Sequence, residues 1–218
     1  MRDAFHEELD SISDTLVEMT RLVGSAMTRA TTALLDADLT LAESVIDADD
    51  KVDELQHSLD DSSFDLLARQ QPVAGDLRTI ITSLRMSADL ERMGDLARHV
   101  AKVARRRYPQ SAIPPEIRGT IVEMGDIAAE LVAKVGSIIA ARDVEAALAL
   151  ESEDDEMDRL HRGLFKALMD DKWKHGIETA VDVTLCGRYY ERYADHAVSV
   201  AKRLVFLVTG EHPTTPAS

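Results

Sequence analysis

Apolar residues fall at Phe5, Leu9, Ile12, Leu16, Met19, Val23, Ala26, Ala30 and Ala33, in steps that alternate four and three. That spacing predicts one long helix with a single buried seam. Asp36-Ala37-Asp38 predicts a tight turn with Asp38 as the N-cap of a second helix. The second helix turns Leu41, Val45, Val52, Leu55, Leu59, Leu66 and Leu67 inward, and Gln70-Gln71-Pro72 breaks it, since proline cannot donate and restricts the residue before it. A third helix is predicted over about 73–107, with Leu90, Met93, Ala97, Val100, Ala101 and Ala104 as its buried stripe.

After the proline-marked linker 109–115 the pattern restarts. Ile117, Ile121, Met124, Ala128, Leu131, Val135 and Ile138 repeat Ile12, Leu16, Met19, Val23, Ala26, Ala30 and Ala33 at an offset of 105, and Asp143 takes the place of Asp38. The third and last helices align at an offset of 100, Glu91-Arg92-Met93-Gly94-Asp95 on Glu191-Arg192-Tyr193-Ala194-Asp195. Two copies of a three-helix unit follow, over 1–108 and 116–210, with 211–218 as a tail. Short connections make neighbouring helices antiparallel, so the predicted fold is all-α, two tandem three-helix bundles of spectrin-repeat-like packing with six helices.

The duplication carries a chemical pattern. Each copy has two acid pairs spaced four apart, Asp49/Asp53 with Glu91/Asp95 and Asp154/Asp158 with Glu191/Asp195. Residues four apart share a helix face, and the turn between the two helices lets the pairs meet. Any single pair of this kind is ordinarily a solvated face; four at related positions point to a shared task. Carboxylates 4 Å apart repel by about 4 kcal/mol at an effective dielectric near 20. Arg92 and Arg192 follow the glutamates but are expected to point off the face, so a bound cation is the stronger remedy. All-oxygen ligation favours magnesium, calcium, manganese or iron. Helical phase places Glu91 and Asp95 off the stripe, at or near the surface.

Other signals are blander. His57, His99, His161 and His196 lie near the pairs, but none recurs in both copies, which favours surface histidines. Arg105-Arg106-Arg107 complements a helix C-terminus, and Trp173 reads as a core plug. The chain has 218 residues, 45% hydrophobic and 4% aromatic, with Cys186 as its single cysteine, so no internal disulfide forms. A net charge of -15 opposes broad contact with nucleic acid or anionic lipid. No signal peptide, spanning segment, phosphate-cradling glycine loop or nucleophile elbow is read in it.

These residues resemble the PhoU family over nearly the whole chain. The marks are Asp49-Asp50-Lys51-Val52-Asp53, the stretch from Arg69-Gln70-Gln71-Pro72 to Asp76-Leu77-Arg78, Glu91 to Asp95, Asp154 to Asp158 and Glu191 to Asp195. Tyr193-Ala194 departs from the family's frequent Ile-Gly. The resemblance implies multinuclear iron or zinc clusters on the (Glu/Asp)-x-x-x-Asp motifs, with manganese or magnesium as further candidates. It implies a non-enzymatic regulator that bridges the phosphate ABC transporter ATPase and the phosphate sensor histidine kinase and represses the response when phosphate is plentiful. A cytoplasmic homodimer, peripheral at the membrane through its partners, is implied too. The alternatives are an accessory of a low-affinity phosphate permease and a carboxylate-bridged di-iron enzyme; for the latter only Asp158-x-x-His161 has the needed spacing, with Gln56 at the equivalent place.

Overall fold

A computed structural model describes residues 2–70 and 72–213. The seam assignment of Phe5, part of the Gln70-Gln71 break and the tail at 214–218 lie outside the described residues. The described chain is all helical: α1 (Arg2–Asp36), α2 (Leu39–Ala48), α3 (Asp50–Gln70), α4 (Gly75–Arg107), α5 (Pro115–Ala141), α6 (Val144–Glu153), α7 (Asp155–Leu168) and α8 (Gly176–Thr209).

Six helices are expected from the pattern, and the eight segments differ from that at two places only. The second and fifth helices are each interrupted at one residue, Asp49 and Asp154, which keep right-handed helical dihedrals. At the first break the Val52 N–H reaches back three residues to Asp49 O at 2.9 Å, instead of four. Each interruption thus falls on an acid of a spaced pair.

The duplication extends to the backbone. Ala37 and Arg142 both have φ 52. Asp38 accepts from Leu41 N at 2.9 Å and Asp143 from Ala146 N at 3.0 Å, so both turns are capped alike. Pro115 opens α5 at a position where a missing N–H costs nothing. The linker before it is packed, with Ala112 and Ile113 buried.

The bundles are not independent. α1 packs on both α4 and α5, and α4 packs on α8, so one continuous core runs through both copies. α1 and α5 run antiparallel and approach closely where one side lacks a side chain. A Cβ built at Gly136 would stand 2.7 Å from Thr20 Oγ1, and at Gly125, 2.8 Å from Thr31 Cγ2. The offset of 105 maps Thr20 to Gly125 and Thr31 to Gly136, so these are the same contact seen twice across a pseudo-two-fold axis. Thr31 also bonds Tyr190 Oη at 2.7 Å, tying α1 to α8.

α4 and α8 are clamped at both ends of their seam by buried acids. Asp182, 2% exposed, takes Arg106, and Arg107 Nε at 3.3 Å. Asp89 takes Arg203 Nε at 2.5 Å and His196 at 3.1 Å. Arg106 and Arg107 therefore serve as ties between the copies, which an arginine run at a helix end did not disclose. Trp173 is half-buried against the core, its Nε1 donating to Gly176 O at 3.1 Å.

The α1/α5 approach yields a stability prediction. Gly125→Val should destabilise by about 1–3 kcal/mol, since overpacking against β-branched Thr31 outweighs the gain in helix propensity. Urea unfolding with unchanged helical circular dichroism would show it; unaltered stability would contradict the close approach.

Candidate metal centres

Both acid groups lie where an interrupted helix pair crosses its long partner. In the first copy Asp49 sits at the α2/α3 break and Asp53 one turn on, facing Glu91 and Asp95 of α4. Asp49 is buried, its side chain 4% exposed, and the Asp95 and Glu91 side chains are only 14% and 20% exposed. The surface placement expected from helical phase is thus corrected. The pair is off the core stripe, but α2 and α3 cover it. Gly94 makes that burial possible, because a Cβ there would approach Asp49 Oδ1 to 3.0 Å.

Arginines partly neutralise this first group. Arg98 lies between Asp49, with Nη1 2.8 Å from Oδ2, and Asp95. Arg92 donates to Asp95 Oδ2 at 2.8 Å and stands 3.7 Å from Glu91, so it does face the pair, against expectation. The contact of Arg98 with Asp49 Oδ2 is off the angle of a hydrogen bond, which leaves that buried oxygen without one. Burial pushes the Asp49 carboxyl up to about 6, with Arg98 opposing and Asp53 and Asp95 adding to the rise. Glu91 is raised too, by burial and then by Asp95.

The second group is poorer in ion pairs. Arg188 holds Glu191 at 2.5 and 2.6 Å, and exposed Arg162 stands 3.5 Å from Asp158. Asp195 makes no ion pair among the described residues, and Asp154 Oδ1 is buried with no hydrogen-bond partner. Arg98 of the first copy has Val198 as its counterpart, so nothing replaces it. Burial pushes the Asp154 carboxyl up to about 7, with Asp195, Asp158 and Glu191 all adding. Glu191 is raised by burial and then by Asp195.

The histidines separate in the structure. His57 is exposed. His99 stacks on Tyr189 at 5.2 Å, and His196 bonds Asp89; both belong to the seam between copies. His161 is different from a plain surface histidine. Its Nε2 is buried without a partner, and its pKa is lowered by burial and then by Arg188. A neutral imidazole with an uncommitted nitrogen beside Asp158 has the character of a ligand.

Among the described residues, no three His, Cys, Asp or Glu side chains converge closely enough to grip one metal ion. The donor chemistry nevertheless fits a hard cation, and fits the second group better. An orphaned buried carboxylate oxygen, an orphaned imidazole nitrogen and three further acids there have fewer ion pairs to satisfy them, and none of those pairs reaches Asp154 or Asp195. The two quartets, equivalent in sequence, are inequivalent in charge.

A pH dependence follows. Asp49 and Asp154 bind protons more tightly folded than unfolded, so with chelator present stability should fall as pH rises from about 4 to about 7. Asp154→Asn should flatten that fall and stabilise the metal-free protein by about 1–3 kcal/mol at pH 8. Urea unfolding across pH checks it; a variant less stable than the parent at pH 8 would contradict the reading.

A family model described as "PhoU domain" matches twice, over residues 16–104 and 121–204. The "Phosphate-specific transport system accessory protein PhoU homolog 2" of Mycobacterium tuberculosis is 54% identical over 213 residues, 98% of this chain and 100% of that protein. The crystal structure of PhoU from Pseudomonas aeruginosa superposes with a TM-score of 0.85 at 31% identity, covering 95% of this chain and 100% of the other. That of the phosphate transport system regulatory protein PhoU from Streptococcus pneumoniae gives 0.86 at 25% identity, covering 97% and 100%. With both repeats matched and relatives aligned end to end, the chain belongs to the PhoU family.

Proposed function

We propose that this protein is an accessory regulator of a phosphate-specific transport system. It acts as an adaptor between the transporter's ATPase and the sensor histidine kinase, and represses uptake and starvation signalling when phosphate is plentiful. The observation that supports this reading is identity of 54% along the full length of a protein named as an accessory protein of a phosphate-specific transport system. As an adaptor it works as a homodimer at the inner membrane face, held there by its partners. No described helix is long and apolar enough to cross a membrane.

Two exposed apolar patches support a docking role. Ile177 and Val181 are 85% and 49% exposed at the start of α8, and Leu77 and Ile81, their counterparts at an offset of 100, are 41% and 38% exposed on α4. Met169 and Phe64, paired at an offset of 105, are exposed as well. Each copy thus presents the same kind of surface beside its last turn, of the sort that marks protein–protein contact.

The acid groups would hold metal ions, iron or zinc foremost, with manganese or magnesium also suited to oxygen donors. Asp154, Asp158, Glu191 and Asp195, joined by His161, would hold one set, and Asp49, Asp53, Glu91 and Asp95 the other. A cation supplies there the positive charge that the arginines do not.

Affinity purification of the tagged chain from phosphate-fed cells tests the role. The transporter ATPase and the kinase should co-purify, and less of both from a variant with Ile177→Asp and Leu77→Asp. Capture of a low-affinity permease instead would favour that alternative, and capture of none of the three would overturn the adaptor reading.

A further inference from the structure

At the end of the α4/α8 seam opposite to Asp182 lies an open pocket of about 230 Å³. Thr82 and Arg85 of α4, Ser199, Lys202 and Arg203 of α8, and His212 line it, and no carboxylate does. That is unusual in a chain with a net charge of -15. The segment after α8 closes one side. Gly210, with φ 78, turns the chain back, and His212 stacks on Phe206 at 4.2 Å.

The cations here are incompletely used. Arg203 spends Nε on Asp89 at 2.5 Å, and its two terminal nitrogens make no hydrogen bond among the described residues. Lys202 gives one bond to Glu151 at 2.7 Å. Arg85 is exposed and pairs with no acid among the described residues. Asp89 and Glu151 offset one charge each, so Arg85 is the charge left uncompensated.

The pseudo-symmetry of the fold supplies an internal comparison. At the offset of 100, Thr82 occupies the place of Asp182. At the Asp182 end, a buried carboxylate of the chain itself gathers Arg106 and Arg107. At the Thr82 end the carboxylate is replaced by a short, 3% exposed threonine, and an open basic pocket stands beside it. At one end both arginines gather on Asp182; at the other, Asp89 takes only Nε of Arg203, and Arg85, the terminal nitrogens of Arg203 and two hydroxyls remain around a space.

We propose that this pocket binds a phosphate-type oxyanion, as inorganic phosphate or a phosphate monoester, in the role that the Asp182 carboxylate fills at the other end. Guanidinium and ammonium groups with two hydroxyls are the donors that such a ligand takes. The volume is below the roughly 300 Å³ at which sites for drug-sized ligands begin, which suits a compact ion. The pocket is built from residues other than the two acid quartets, so it is independent of metal.

Titration calorimetry with inorganic phosphate, at constant ionic strength and with chelator present, tests this. Arg85→Gln, an exposed change that leaves the core intact, should weaken binding about tenfold or more. Thr82→Asp, which supplies the internal carboxylate, should abolish it. O-Phosphoserine distinguishes the source: tighter binding than phosphate points to a phosphorylated side chain, equal or weaker binding to the free ion. No heat from either ligand, or equal affinity in the parent and Arg85→Gln, would overturn the proposal.

Discussion

The close approach of α1 and α5 sets the geometry on which the other features depend. Thr20 against Gly136 and Thr31 against Gly125 leave no room for a further carbon, so the two helices meet nearly backbone to side chain. Because the contacts are equivalent under duplication, they fix an axis relating the two copies. Thr31 extends the contact to Tyr190 of α8, and α4 is then held against α8 through Asp89 and Asp182. With α4 and α8 joined along one side, α2 with α3 and α6 with α7 are left on the remaining faces, and the acid groups form in those outer crossings.

Electrostatics then divides what the duplication made equal. Four acids at one crossing require compensation, and the first copy finds it in Arg98 and Arg92. The second has Arg188 and a distant Arg162, neither paired with Asp154 or Asp195. The orphaned atoms of Asp154 and His161 thus lack the arginine that stands 2.8 Å from the orphaned oxygen of Asp49. Gly94 in one copy and Ala194 in the other follow the same division, for Asp49 is buried beside the glycine while Asp154 is only half-buried. A cation bound at both crossings would thus face different competition at each: displacement of an arginine at the first, an open demand at the second.

Much of this is legible in the amino-acid sequence because helical period and duplication are local, repeated signals. The seam residues Leu16, Met19, Ile121 and Met124 are buried as their spacing predicts, and Asp38 and Asp143 cap as their turns predict. The same repetition marks all eight acids, and the structure places four at each crossing of an interrupted helix pair with its long partner. What sequence spacing misses depends on contacts between helices. Helical phase alone puts Glu91 at the surface, since it carries no knowledge that α3 lies over that face. Arg98 and Arg188 are unpaired across the repeats, so a search for recurring residues passes over them. Asp182 and Arg106 sit 76 positions apart, and nothing local marks them as partners.

The central claim is that the carboxylate crossings are cation sites in a PhoU-family regulator, the second with the greater need. Elemental analysis of the native protein, beside Asp154→Asn/Asp195→Asn and Asp49→Asn/Asp95→Asn, measures it most directly. The account predicts bound metal in the parent, with a larger loss from the change in the second copy than in the first. A parent free of metal when purified without chelator, or metal content unchanged in both variants, would contradict it.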